Sequence, residues 1–228
     1  MRLFAAVWPP DEVLDHLDLA LGAVRRSVGH GTGPIRWSAR ETWHLTCAFY
    51  GDVPDGSVPE LVHELAQVAA AAARYPLTLR GAGVFSHRTL WVGVGGDVAA
   101  QQAVARGAVA AGRAVGARPD ERPRERAHLT IGRVRNDGAR RRGSGRGDPR
   151  RPGRHDAHGA GSGPSRDAGD GVDADALVAA LAVYEGPAWT VDSLALVASR
   201  PGGGRGGGPL YTAVEELALG GPVAPWAP

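Results

Sequence analysis

The run WHLTCAF, residues 43–49, sets a histidine and a threonine two positions apart inside an otherwise apolar segment. In an extended strand residues i and i+2 share a face, so His44 and Thr46 point one way while Trp43, Leu45 and Cys47 point the other. A second run, AHLTIGR at residues 127–133, repeats the arrangement. There His128 and Thr130 share one face, with Ala127, Leu129 and Ile131 behind them. Each run reads as a strand anchored in a core by its apolar side and offering imidazole plus hydroxyl on the other. One H-x-T in an apolar strand is most often an ordinary histidine. Two copies, both HLT, at equivalent places in a repeated order of elements, carry far more information.

That repeated order emerges on both sides of each motif. RLFAAVW at the start reads as a buried strand, and PPDEVLDHLDLALGAVRR begins with proline and acidic residues as a helix should, with Val13, Leu17, Ala20, Leu21 and Val24 at helical spacing. After the first HLT strand and the turn-former GDVPDG, Ser57 and Glu60 have the spacing of a capping box at the head of a second helix. LTLRGAGVF and TLWVGV follow as a hairpin. The alanine-rich DVAAQQAVARGAVAAGRAV is a helix with Asp97 as its cap, and it leads into the second HLT strand. DADALVAALAVYEG then reads as a helix, and AWTVDSLALVAS and PLYTAVEEL as a strand pair joined by RPGGGRGGG. Each HLT strand is thus preceded by a strand and a helix and followed by a helix and two strands. The expected fold class is α+β: two pseudo-symmetric lobes with antiparallel sheets, flanked by helices, around a central cleft.

A chain of 228 residues with 43% hydrophobic content can bury one sizeable core, so residues 1–228 are read as a single bilobal domain. The segment 136–172 departs from the pattern. It is nearly devoid of large apolar residues and rich in Gly, Arg, Asp, Pro and Ser, which cannot offset its ordering entropy, and it is read as a disordered insertion. Its arginines are interleaved with aspartates and have no aromatic neighbours, which favours an inert insertion or a coding artefact over an RNA-attracting tether. The formal net charge is +2 and every basic residue is arginine. Guanidinium suits phosphate by its planar fork, although the abundance of Arg, Ala and Gly is equally what a GC-rich gene produces. A single cysteine, Cys47, excludes an intrachain disulfide and a cysteine-rich metal site. Pro9 interrupts the opening apolar run, and no stretch approaches about twenty apolar residues, so no signal peptide core or membrane span is expected and the cytoplasm is the expected location.

Two histidines across a cleft suit a reaction that gives one proton and takes another, because imidazole titrates near pH 6.5. Phosphodiester cleavage without a metal is such a reaction, with one histidine activating the nucleophile, the other protonating the departing oxygen, and hydroxyls donating to the nonbridging oxygens. Other candidates are weaker. His155 and His158 lack fixed neighbouring ligands. PGGGRGGG lacks the lysine and the following Ser or Thr of a P-loop and reads as a hairpin loop.

The segments RLFAAVWPP, HLTCAFYGDV, GAGVFSHRTLWVGV, HLTIGR and YEGPAWTVDSLALVAS with PLYTAVEEL resemble the 2H phosphoesterase superfamily, and within it the RNA 2′,3′-cyclic phosphodiesterases also known as 2′-5′ RNA ligases. The resemblance spans most of the chain outside 136–172. It implies that His44 is the proton donor and His128 the acceptor, that Thr46 and Thr130 bind the phosphate, and that the product is a 2′-phosphate. It also implies a bilobed fold, no cofactor and no metal. Arg133 matches an arginine often seen after the second motif and is either a phosphate ligand or part of a structural salt bridge. Cys47 stands where relatives usually carry a hydrophobic residue, and Ala127 where they commonly carry proline; neither change removes a reacting group. The expected partners are RNA ends or small cyclic nucleotides, for a monomer that closes its own cleft. Two further readings are an RNA-end binding module with little turnover and reversible ligation of 2′-5′ linked ends.

Overall fold

The computed structural model describes residues 1–27, 35–118, 126–134 and 174–221. The segment 136–172 lies outside them, as do His30, His155 and His158. Among the described residues nine strands form one antiparallel sheet in the order β7-β4-β5-β6-β3-β1-β8-β9, with β2 paired to β6. The strands are β1 (Arg2–Val7), β2 (Ile35–Trp37), β3 (Leu45–Asp52), β4 (Tyr75–Phe85), β5 (Thr89–Gly96), β6 (His128–Val134), β7 (Glu185–Val191), β8 (Ser193–Arg200) and β9 (Leu210–Ala218). The helices are α1 (Asp11–Ser27), α2 (Val58–Ala71), α3 (Val98–Ala114) and α4 (Ala174–Leu181).

The α+β class is as expected, and the two sets of strands meet within one sheet. The halves β6-β5-β4-β7 and β3-β1-β8-β9 join where the two HLT strands touch, at the pair Leu45 and Leu129. The segment AWTVDSLALVAS, expected as one strand, splits at Asp192: β7 pairs with β4 in one half and β8 with β1 in the other. Only one residue separates two strands at opposite reaches of the sheet. The sheet must therefore curl, and it forms a half-barrel.

Helices cover one face of this sheet, where the main core lies. Leu3, Ala5 and Val7 of β1 pack there with Val13, Leu17 and Leu21 of α1 and with Leu61 and Leu65 of α2, all essentially buried. The alternate β1 residues Phe4 and Ala6 face the other way, into a second cluster with Val197, Trp8, Phe49 and Tyr211. β1 is thus apolar on both sides, which is why RLFAAV shows no period-two alternation.

Two of the expected caps have different outcomes. Asp97 caps α3 by accepting from the Ala100 amide at 2.9 Å. Ser57 does not form a capping box: it ends a 3₁₀ turn, Asp55–Ser57, has a helical backbone (φ −91°, ψ −5°), and makes no side-chain cap hydrogen bond. A residue with helical φ/ψ cannot aim its hydroxyl back at the N3 amide, so α2 begins as a continuation of that turn.

One polar group lies deep in the core. Gln101 on α3 is 1% exposed; its Oε1 accepts from the Tyr75 hydroxyl at 2.8 Å, and its Nε2 lies 3.5 Å from Cys47 Sγ. Burial pushes the Tyr75 hydroxyl pKa up, so it stays a donor. Gln101→Ala strands that hydroxyl without a partner and is expected to cost about 1–3 kcal/mol, measured by urea unfolding. An unchanged midpoint would show that the network contributes nothing.

Candidate active site

The parity read from the sequence holds on both motifs. Trp43, Leu45 and Cys47 are at most 1% exposed, as are Leu129 and Ile131, while His44, Thr46, His128 and Thr130 are only half-buried on the opposite face. The bridge between Leu45 and Leu129 is antiparallel. In that register His44 lies level with Thr130 and Thr46 with His128, so the two motifs form one quartet on the face away from the helices.

Both imidazoles are held in the same manner. His44 Nδ1 lies 2.7 Å from the Thr42 carbonyl, and His128 Nδ1 lies 3.0 Å from the Arg126 carbonyl. A carbonyl only accepts, so Nδ1 carries the proton in each ring. His44 Nε2 lies 3.0 Å from Thr46 Oγ1. The short 3₁₀ turn Arg40–Thr42 that supplies the carbonyl is tied to α1 by Arg40, which pairs with Asp11 at 3.1 Å and with Asp15.

Aromatic rings fix the imidazole planes. Trp8 stacks on His44 with centroids 4.9 Å apart, Phe4 lies at 4.9 Å, and Tyr211 meets it edge-on at 5.3 Å. His128 has Phe85 edge-on at 4.8 Å and Trp91 at 6.2 Å, with Phe85 and Trp91 stacked on one another. Gly83 makes room for Trp91, since a Cβ there would come within 2.2 Å of the indole. None of these aromatic contacts was read from the sequence. The signal available was parity: Phe4, Ala6 and Trp8 share the face opposite Leu3, Ala5 and Val7.

A bulge follows each motif. Ala6 pairs with Thr46 and Ala5 with Ala48, which leaves Cys47 unmatched; Trp91 pairs with Thr130 and Leu90 with Gly132, which leaves Ile131 unmatched. Each extra residue adds a second consecutive core position and reverses the parity beyond it. Arg133, which strict alternation would turn away from Thr130, instead lies on the cleft side.

A cavity of about 1170 Å³ opens on this face, and His44, Thr46, Thr130 and Arg133 are among the residues lining it. His128 is not among them; its place beside the quartet comes from the register and from its ring contacts. The loop 201–208, expected as a hairpin connection, does join β8 to β9 and also forms a wall of this cavity. Among the described lining residues the charges are Arg2, Arg36, Arg133 and Arg205 against one carboxylate, Glu41, so the cavity favours an anion. No described carboxylate lies within salt-bridge distance of Arg133, which leaves its structural salt bridge without a partner among the described residues. Burial raises the pKa of the Tyr211 phenol, with Arg133 pulling the other way, so Tyr211 faces His44 protonated.

Residues 7–91 match the family model described as LigT like phosphoesterase. The same chain superposes on TT0787 of Thermus thermophilus with a TM-score of 0.63 and 22% identity, over 97% of this chain and 99% of that one. Over residues 7–91 the chain is similar to the LigT like phosphoesterases. E. coli LigT in its apo form has the same fold, with a TM-score of 0.61 and 20% identity over 96% of each chain. At these identities the likeness establishes the fold alone. Two sequence relatives are named RNA 2′,3′-cyclic phosphodiesterase. The one from Geobacillus stearothermophilus is 38% identical over 105 residues, 44% of this chain and 33% of the relative. The one from Aeropyrum pernix is 34% identical over 80 residues, 33% of this chain and 44% of the relative. The match thus spans less than half the length of either. Among the described residues no helix is long and apolar enough to cross a membrane.

Proposed function

We propose that this protein hydrolyses a terminal 2′,3′-cyclic phosphate on RNA to a 2′-phosphate, using His44 as general acid and His128 as general base. The observation that carries the reading is the single antiparallel bridge at Leu45 and Leu129, which sets each histidine level with the other motif's threonine. Water attacks phosphorus as His128 Nε2 takes its proton. The bond from phosphorus to the 3′-oxygen breaks, and His44 Nε2–H delivers a proton to that oxygen. Thr46, Thr130 and Arg133 donate hydrogen bonds to the nonbridging oxygens, where negative charge grows in the transition state. Both proton transfers are carried by side chains, so the reaction is proposed to be independent of metal and cofactor.

Support comes also from the names of the two sequence relatives and from the E. coli LigT structure complexed with 3′-AMP, which matches this chain with a TM-score of 0.62 at 20% identity over 96% of this chain and 97% of that one. The proposal takes residues 1–228 as one bilobal domain, acting as a cytoplasmic monomer, with 136–172 inserted after β6.

The test is to incubate the purified protein with a short RNA ending in a 2′,3′-cyclic phosphate, in the presence of EDTA, and to locate the product phosphate. Turnover to a 2′-phosphate at an undiminished rate is the expected result. A product carrying a 3′-phosphate would reverse the choice of leaving oxygen, and tight binding without product would leave only a binding module.

A further inference from the structure

Arg36 and Arg133 are direct partners across the antiparallel pair of β2 and β6, and both line the cavity. Like charges set directly opposite one another on a sheet are destabilising. Among the described residues neither has a carboxylate within salt-bridge distance. The chain nevertheless holds Arg36 in place: its Nη2 donates to the Gly206 carbonyl at 3.0 Å, tying β2 to the loop that forms the adjoining wall. Arg205, next to that carbonyl on the 3₁₀ turn Arg205–Gly207, lines the same cavity. Arg36 is thus tied to the loop that carries Arg205, and both arginines line the cavity.

Position and size both bear on what these groups meet. Arg36 and Arg133 start from one level of the sheet, but the Arg36 guanidinium is committed to the Gly206 carbonyl on the loop 201–208. A guanidinium held there belongs to the loop wall of the cavity, a different element from the β3 and β6 strands that carry the motif side chains. The cavity, at about 1170 Å³, is also larger than the roughly 300–1,000 Å³ typical of small-molecule pockets. A second phosphate, joined to the first through a sugar, satisfies both facts, and guanidinium is the side chain best fitted to hold it.

We infer that Arg36 and Arg205 form a second phosphate subsite that grips the RNA backbone upstream of the reacting end, so that the site selects oligonucleotide ends over cyclic mononucleotides. This rests on the cyclic phosphodiesterase reading above and names the substrate class within it. The two subsites divide the work: the quartet acts on the terminal phosphorus, while the arginine pair recognises that a chain is attached.

The experiment compares a tetraribonucleotide ending in 2′,3′-cyclic phosphate with a 2′,3′-cyclic mononucleotide, for the wild type and for Arg36→Gln with Arg205→Gln. The ratio of kcat/KM for the tetranucleotide to that for the mononucleotide is expected to fall about tenfold to a hundredfold in the double variant. The dependence of tetranucleotide KM on salt should also weaken, by about 0.7 in logarithmic slope for each phosphate no longer neutralised. An unchanged ratio, or an equal loss on both substrates, would overturn the second subsite. Should the wild type turn over neither substrate, the catalytic reading fails, and binding of a 3′-phosphorylated tetranucleotide by fluorescence anisotropy then decides the subsite: weakened, less salt-dependent binding in the double variant supports it, and equal binding refutes it. Thermal unfolding of the variant, in which both substituted side chains are exposed, checks that the fold is intact.

Discussion

His44→Ala and His128→Ala are each expected to lower the proposed turnover of a cyclic-phosphate RNA end by about 10²–10⁴-fold, the contribution of one positioned acid or base. The carbonyls of Thr42 and Arg126 take the Nδ1 proton of each ring, so Nε2 is the nitrogen proposed to transfer a proton. Of the rings packed around the imidazoles, Trp8 and Phe4 at His44 and Phe85 and Trp91 at His128 carry no group that exchanges protons near neutral pH. The pH profile separates the roles. The wild type should show a bell, because the proposed reaction needs one imidazole protonated and the other bare. The His44 variant should lose the alkaline limb, which reports the acid, and the His128 variant the acid limb, which reports the base. Steady-state rates measured across about pH 5–9 make the comparison, and retention of full activity by either variant would end the assignment.

The second large effect belongs to the hydroxyls. Thr46→Val and Thr130→Val keep the shape of each side chain and remove one donor to the phosphate. Each should lower kcat by about 10²-fold, the lower end of what a single preorganised donor to a developing charge contributes. The effect should fall on kcat more than on KM, because the charge grows on the way to the transition state. Thr46 has a further task, since its Oγ1 lies 3.0 Å from His44 Nε2. Its loss should therefore alter the pH profile as well as the rate, whereas loss of Thr130 should alter the rate alone. A change confined to KM in both variants would show that the hydroxyls bind the substrate without favouring its transition state.

Much of this architecture is legible in the residues themselves. Parity along HLT put His44 with Thr46 and His128 with Thr130, and it put Leu45, Cys47, Leu129 and Ile131 in the core, because successive strand residues alternate whatever the strand pairs with. Helical spacing located α1, and Asp97 announced the start of α3. The Ser57 expectation failed for a local reason, since the preceding turn had already given that residue a helical backbone.

What only the tertiary structure decided is where strands lie against one another. No local pattern says that Leu45 bridges Leu129, yet that one contact brings the two motifs together. Nor does alternation reveal that Cys47 and Ile131 are each left unmatched, although the bulge at Ile131 is what turns Arg133 toward the cleft. The aromatic walls around the histidines come from β1, β4, β5 and β9, and the arginine latch joins β2 to a loop 170 residues away in sequence. The physical reason is the same in each case. The direction of a side chain along a strand is a property of consecutive residues, whereas register, bulges and the closing of a curled sheet are set by the packing of segments distant in sequence, which no short stretch of residues encodes.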